Sequence, residues 1–420
     1  MRRWMRRLLL ATCLGAWVPT CAMAQKTLTW EQAKRELEAS NPTLRAARIG
    51  IQESRADEIT AYLRPNPDLT LLIDQLSPLS TPDTPYRPLT DTEQFIAGSY
   101  LIERRHKRTL RRESAREGTA IAISELDDQK RNLLFDLRGA FVQVLQQKAV
   151  VTVTRESLDF YDRMLAVSRD RYKAGDIAQV DLDRLELQRV QFETDVQTAL
   201  VNLRTAKIEL EMLLNDRTPV EQLDVSGRFD YAEILTPLDE LRQNAFDSRA
   251  DLRAAVQAVD KARTDYRLAV ANGSTDPTVQ WDVGHQQGVR ASVGAGVSFP
   301  LRIFDRNQGE KARTQLDIKR NERLVEANRA QVFSDVDSAF ATLQSDLTLL
   351  RPYKARYLQQ AARVRETISF SYQHGGASLL DFLKAQQDYR GIQLSYLNLV
   401  GSFLSAANQM NFAVGREVIP

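Results

Sequence analysis

Apolar positions along this chain follow two rhythms. One stripe runs through Leu182, Leu185, Arg189, Phe192, Val196, Ala199, Leu203, Ala206, Leu210 and Leu213, spaced alternately three and four residues apart. A second, Phe382, Ala385, Tyr389, Ile392, Tyr396, Leu399, Phe403, Ala406 and Met410, repeats that register 200 residues further on. A straight helix of 3.6 residues per turn drifts off so strict a heptad, so both stripes predict coiled-coil seams. The other rhythm has period two. Val279, Trp281 and Val283 alternate with Thr278, Gln280, Asp282 and Gly284. Ala291, Val293, Ala295, Val297 and Phe299 alternate with Ser292, Gly294, Gly296 and Ser298. These predict strands over 278–284 and 291–299, the second long enough to cross a bilayer when tilted and the first slightly short. Residues 68–76 and 93–102 alternate less cleanly and predict a matching pair, with the Pro- and Ser-rich stretch Ser77–Asp91 as an exposed loop. Residues 103–172 hold no Pro and only Gly118 and Gly139, which permits one helix about 100 Å long.

These elements occur twice. Tyr172 and Gly175, followed by Val180-Asp181, return as Tyr372 and Gly375, followed by Leu380-Asp381, all at an offset of 200. Ala140-Phe141 pairs with Ala339-Phe340, Ser99-Tyr100 with Ser298-Phe299, Leu44-Arg45-Ala46-Ala47 with Leu252-Arg253-Ala254-Ala255, and Pro67 with Pro277. An ordered ladder of this kind marks an internal duplication with small insertions. Each half starts with helix, breaks into a strand pair, and continues as a long helical hairpin. Thr29-Trp30-Glu31-Gln32 reads as a capping box, and Asn41-Pro42 as a second helix start with Pro at its first position. The predicted organisation is a first repeat over 25–214 (β-hairpin 68–102, helical hairpin 103–214) and a linker over 215–247. A second repeat follows over 248–412 (β-hairpin 278–300, helical hairpin 307–412), then a tail over 413–420.

The N-terminus changes the charge balance. Arg2, Arg3, Arg6 and Arg7, the apolar run Leu8–Val18, and Ala22-Met23-Ala24 form a secretory signal over residues 1–24, cut ahead of Gln25. Lipid attachment at Cys21 is the alternative, though Pro19 and Thr20 stand where small residues are usual. Both cysteines, Cys13 and Cys21, leave with the signal, as do four arginines, so 57 basic residues become 53 against 55 acidic. The mature chain is disulfide-free and mildly acidic, which removes the basic excess a nucleic-acid-binding protein would show. No later stretch carries eighteen uninterrupted apolar residues, so strands rather than helices would have to hold the chain in a membrane.

Four strands cannot close a barrel, since closure needs about eight. Three copies would supply twelve in one ring. The predicted fold class is therefore mostly α with a small β part: tandem long helical hairpins, with four membrane strands per chain completed by trimerisation. A soluble periplasmic coiled-coil scaffold or adaptor is the alternative, but it would not need membrane-type alternation over 278–299. Catalytic chemistry finds no footing, with no nucleophile motif, phosphate loop or HExxH. His106, His285 and His374 are the only histidines and lack metal-ligand spacing, so neither cofactor nor bound metal is expected.

Ser298-Phe299-Pro300-Leu301-Arg302-Ile303-Phe304-Asp305-Arg306-Asn307-Gln308-Gly309 resembles the stretch after the last barrel strand of TolC-type outer-membrane efflux proteins, nearest the cobalt–zinc–cadmium resistance branch. Asn41-Pro42-x-Leu44-x-x-Ala47, Pro65-Asn66-Pro67 and the Tyr-x-x-Gly…Asp hairpin tips are similar to that family too, and the likeness spans the mature chain. The resemblance implies a homotrimer. A twelve-stranded barrel would sit in outer-membrane lipid above a periplasmic α-helical barrel, with an equatorial domain from residues 25–40, 215–247 and 412–420. It also implies partners: a periplasmic adaptor, and an inner-membrane pump of the RND class that does the work.

Particular residues follow from these readings. Gly175 and Gly375 supply the positive φ that reverses each hairpin; with Tyr172 and Tyr372 they form tips that the resemblance turns toward the adaptor. Val279, Trp281, Val283, Val293 and Val297 form the outward barrel face. Asp181 and Asp381 begin the return helices. By resemblance Asp381 lines a closed periplasmic aperture, whereas a carboxylate favoured by the helix dipole is the simpler reading. Lys384 stands where the resemblance leads one to expect a second acidic residue.

Overall fold

The computed structural model describes residues 26–74, 92–233, 236–286 and 290–419. The expected signal over 1–24, Cys21 and the Ser77–Asp91 loop lie outside them. Each half opens with two short helices: α1 (Trp30–Ser40) and α2 (Pro42–Tyr62) in the first, α5 (Leu238–Ser248) and α6 (Ala250–Asn272) in the second. The Thr29 capping box forms, and Asn41 accepts from the amides of Thr43 and Leu44 ahead of Pro42. The second half breaks at Arg249 without a side-chain cap. That guanidinium is buried and held instead by Asp251 and Asp335, at 2.6 and 2.7 Å.

After Pro65 and Pro67 come β2 (Asp68–Asp74) and β3 (Glu93–Leu101); in the second half come β5 (Thr278–Gln286) and β6 (Ser292–Ser298). They form one antiparallel sheet in the order β2-β3-β5-β6, so β2 and β6 are its edges. Strand lengths depart from expectation, with β5 at nine residues and β6 at seven. The register pairs Thr278 with Ser298, which would place Phe299 opposite Pro277 and just before Pro300. Neither proline has an N–H to donate, and β6 stops. β5 gains length by pairing His285 and Gln286 with Gln94 and Glu93.

The helical hairpins follow. α3 (Lys107–Lys173) is one uninterrupted helix of 67 residues, about 100 Å long. α4 (Gln179–Leu214) returns along it, and α9 (Leu379–Val414) sits at the same offset of 200 with the same 36 residues. The outgoing helix of the second half is broken: α7 (Gln308–Pro352), a π-turn over Tyr353–Tyr357, then α8 (Leu358–Gln373). The duplication offset steps from 199 at Phe141/Phe340 to 200 at Tyr172/Tyr372, so the second half carries one extra residue there. A π-turn is how a helix absorbs one inserted residue. Helices pack in the order α2, α3, α6, α7 beside the sheet and α4, α3, α9, α7–α8 away from it. Arcs of four helices therefore continue an arc of four strands.

A small belt girdles the middle. β1 (Lys26–Leu28) pairs in parallel with β4 (Leu223–Val225). Asn411 pins the tail by accepting from the amides of Val418 and Ile419 and donating to the Ile419 carbonyl. Two larger cores meet at this belt. One includes Leu37, Leu137, Phe141, Leu210 and Val225, and the other Leu241, Val336, Leu343, Phe403 and Met410.

Candidate functional site

The sheet register sorts side chains by face. Leu71, Ile96, Val283 and Val293 align across the four strands, as do Leu69, Gly98, Trp281 and Ala295, with Tyr100, Val279 and Val297 in a third row. Since successive strand residues alternate faces, all five residues expected on the outward surface share one side. Val293 and Val297 are 81 and 63% exposed. The opposite side carries Thr70, Ser99, Gln280, Asp282, Ser292 and Ser298 in the same rows' gaps, with Leu72 and Phe95 paired as its main apolar exception. Trp281 fits because Gly98 faces it: a Cβ there would lie 2.5 Å from the indole. An apolar face against a polar one is the pattern of a membrane barrel with a wet lumen.

At the far end, the tips are built alike. Asp176 N–H donates to the Arg171 carbonyl and Gly175 N–H to that of Tyr172, at 2.9 Å each; Gly376 and Gly375 repeat this on Ser371 and Tyr372 at 2.7 and 3.2 Å. These are Schellman closures, whose crossing residue sits in the left-handed region, and Gly175 and Gly375 have φ of +86° and +76°.

The equivalent side chains then diverge. Ser378 caps α9, and Asp381 closes a capping box, its Oδ2 accepting from the Ser378 hydroxyl at 2.6 Å. In α4 the cap position is Ala178, and Asp181 is left 3.8 Å from Arg184. Lys384 pairs along its own helix with Asp388 at 2.8 Å. Tyr172 is exposed at 39%, whereas Tyr372 is buried at 5%. Its ring stacks on Phe382 at 4.9 Å, and its carbonyl accepts from Arg171 of the first half. So Asp381 serves a cap, and Tyr372 points into the joint between the halves rather than out of the tip.

That joint holds residues which heptad reading missed. Tyr161, fully buried, stacks on Phe192 at 4.7 Å and donates to the Leu185 carbonyl; burial pushes its hydroxyl well above the usual tyrosine range. Arg390 forms an ion pair with Asp195 across the halves and lies over the Phe192 ring. Arg365 lies over Phe160 and Tyr389 at 4.5 and 3.8 Å. The available signal was polar replacement: Arg390 stands where the first half has Val190.

Among the described residues no cluster of His, Cys, Asp or Glu could hold a metal ion, and no helix is long and apolar enough to cross a membrane.

An amphipathic strand sheet, joined at one end to helical hairpins about 100 Å long, defines an outer-membrane channel subunit with a periplasmic helical extension. The family model for outer membrane efflux proteins matches residues 34–215 and 241–416, and the chain belongs to that family. It is similar to the cobalt-zinc-cadmium resistance protein CzcC of Cupriavidus metallidurans, with 26% identity over 93% of this chain and 90% of that one. The outer membrane efflux protein BepC of Brucella suis is 21% identical over 90% of this chain and 83% of its own. Among solved structures, that of CusC superposes with a TM-score of 0.78 at 16% identity, covering 92% of each chain. The predicted fold class and outer-membrane location stand.

Proposed function

We propose that three copies close into a passive exit duct, fed through a periplasmic adaptor by an inner-membrane pump of the RND class. The observation that carries this reading is that every layer ends in open edges. The sheet leaves β2 and β6 unpaired on their outer sides, which hydrocarbon does not tolerate. The helical layers end in α2 and α7 beside the sheet and in α4 and α7–α8 away from it. These edges present apolar side chains: Ile49 and Ile59 on α2, Leu187, Val201, Ile208 and Met212 on α4, and Leu316, Leu324, Val364 and Phe370 on α7–α8. Edge-to-edge addition of three copies covers the strand edges and the helical edges at once. A soluble scaffold would leave the apolar strand face unexplained. Tyr172, Gly175 and Gly375 then form the surface offered to the adaptor, braced from behind by Tyr372. The likeness to CzcC makes divalent metal export one reading of the cargo, with the recognition of metal lying in the pump.

The test is assembly followed by conductance. Val283→Arg or Val293→Arg should abolish heat-resistant trimers in membrane fractions, a charge at mid-bilayer costing about 2–4 kcal/mol, while Gln280→Arg on the lumen side is tolerated. Equal damage from both sinks the barrel. In planar bilayers, Asp181→Asn with Asp381→Asn should raise conductance and weaken divalent block if the carboxylates line a constriction. Unchanged conductance with a lowered Tm leaves Asp381 as part of a cap and Asp181 as a first-turn carboxylate alone.

A further inference from the structure

Where strands hand over to helices, the chain carries an unusual concentration of positive charge. Arg104, Arg105, Lys107, Arg108, Arg111 and Arg112 fall within nine residues. Two are neutralised: Lys107 by Asp276 at 2.5 Å and Arg111 by Glu103 at 2.9 Å. The others, with Arg64 across the same cleft, form no ion pair among the described residues. Arg108 and Arg112 instead flank the Tyr62 ring at 4.3 and 4.5 Å. The cleft is about 550 Å³, and Arg64, Tyr100, Arg105 and Arg108 line it. On the second-half side of this end of the sheet, Arg302 and Arg306 also form no ion pair there, and Arg302 Nε is buried without a partner.

Apolar side chains flank both groups of cations: Leu63 adjoins Arg64, and Phe299–Phe304 interleave with Arg302 at the end of the outward row of β6. Phe299, Leu301, Ile303 and Phe304 are 56, 73, 62 and 90% exposed, and Leu63 is 60% exposed. The register fixes the level, since Leu101, Thr278 and Ser298 end their strands in one row. In a barrel whose helices project into the periplasm, that row is the periplasmic boundary of the bilayer. Apolar groups at this level meet acyl chains, and unpaired guanidiniums one turn further meet headgroup phosphates, which planar forked donors suit.

We propose that this collar is a binding site for anionic phospholipid of the periplasmic leaflet, with Arg64, Arg105 and Arg108, which line the cleft, contacting the phosphodiester. It rests on the outer-membrane reading, and neither the duct nor its partners require it. The occupant is a lipid rather than free phosphate because exposed apolar side chains adjoin the cations. Each basic residue near an anionic surface strengthens binding about fivefold.

The test uses the full mature chain as purified trimer in mild detergent, titrated with phosphatidylglycerol or phosphatidylcholine and followed by native mass spectrometry. The wild type should bind phosphatidylglycerol about tenfold tighter or more. Arg64→Gln, Arg105→Gln and Arg108→Gln together should erase that preference. Arg323→Gln, Arg329→Gln and Arg363→Gln, an equal charge change on distant helix surface, should keep it. Equal affinity for both lipids in the wild type overturns the site, as does equal loss in both triple variants. Competition by soluble glycerol phosphate at the lipid's own concentration also overturns it, marking a free-anion site. If the collar variant does not trimerise, the wild type decides alone: raising salt from about 0.05 to 0.5 M should collapse an electrostatic preference, and a salt-independent one overturns the proposal. Trimers that insert and conduct normally without lipid preference sink only this inference, whereas failure to insert would sink the duct itself.

Discussion

α4 and α9 have the same length and heptad seam, 200 residues apart, yet they live in different surroundings. α4 packs along α3, while α9 packs along both its own outgoing helix and α3. The face that α9 uses for this second contact is open in α4. Val201 is 63% exposed, whereas its equivalent Gly401 is buried with Gln146 pressed onto it. Ile208 is 49% exposed, whereas Asn408 is buried and donates to the Phe135 carbonyl. Met212 is 72% exposed, whereas Phe412 packs against Phe135 at 4.8 Å, its ring tilted by 42°, beneath Arg131. Duplication gave both helices one seam; divergence made one face an internal joint of small and polar groups. The other kept aliphatic side chains that a single chain does not bury. An exposed heptad-spaced stripe of this kind marks a surface waiting for a partner.

The largest expected effect breaks that contrast. Val201→Asp with Ile208→Asp should eliminate trimers on a gel and in analytical ultracentrifugation while the monomer keeps its helical circular dichroism. The matching change on α9, Gly401→Val, should instead destabilise the chain by about 1–3 kcal/mol through overpacking, read as a lowered Tm. If Val201 and Ile208 behave like internal positions and their substitution unfolds the chain, the distinction between open and joined faces fails.

A smaller effect sharpens the same comparison at the caps. Ser378→Ala removes the α9 cap and should cost about 1 kcal/mol. Ala178→Ser places the missing hydroxyl at the equivalent α4 position and should gain a similar amount. Thermal denaturation of the two variants, expected to move in opposite directions, decides whether the tips differ only by this residue.

The smallest effect concerns the belt. Burial pushes the Asp216 carboxyl up, but hydrogen bonds from Lys26 and Thr218 outweigh it and bring the pKa to about 2, below the usual 3.8. A carboxylate depressed on folding contributes stability above its unfolded pKa and loses it as pH falls through the folded value. The Lys26–Asp216 tether of β1 should therefore weaken between about pH 4 and pH 2. Hydrogen exchange at β1 amides across that window, compared with Asp216→Asn, measures it; identical profiles would remove Asp216 as the cause.

Much of this was legible in the residues. Heptads named the seams of α4 and α9, and period-two alternation named β5 and β6 and the side chains that share one face. Capping residues placed Thr29 and Asn41, and the tip glycines announced their positive φ. Such features are local: they depend on spacing along one element and on backbone sterics, which sequence carries directly. Tertiary structure alone decided what lies opposite what. It ended β6 at Ser298 by setting Pro277 opposite the following residue, Phe299, ahead of Pro300, and lodged an extra residue in the π-turn at Tyr353–Tyr357. It turned Tyr372 inward while leaving Tyr172 exposed, and spent the Asp381 carboxylate on Ser378. It paired Arg390 with Asp195 and brought Arg64 to the cleft that Arg105 and Arg108 line. Most of these outcomes depend on groups far apart in the chain, whose charge, bulk or missing N–H matters only once folding brings them within contact distance; the Ser378–Asp381 box is a local pairing that the sequence reading passed over. Equal sequence periodicity in α4 and α9 could not reveal which face would be covered, because burial belongs to the neighbour as much as to the helix.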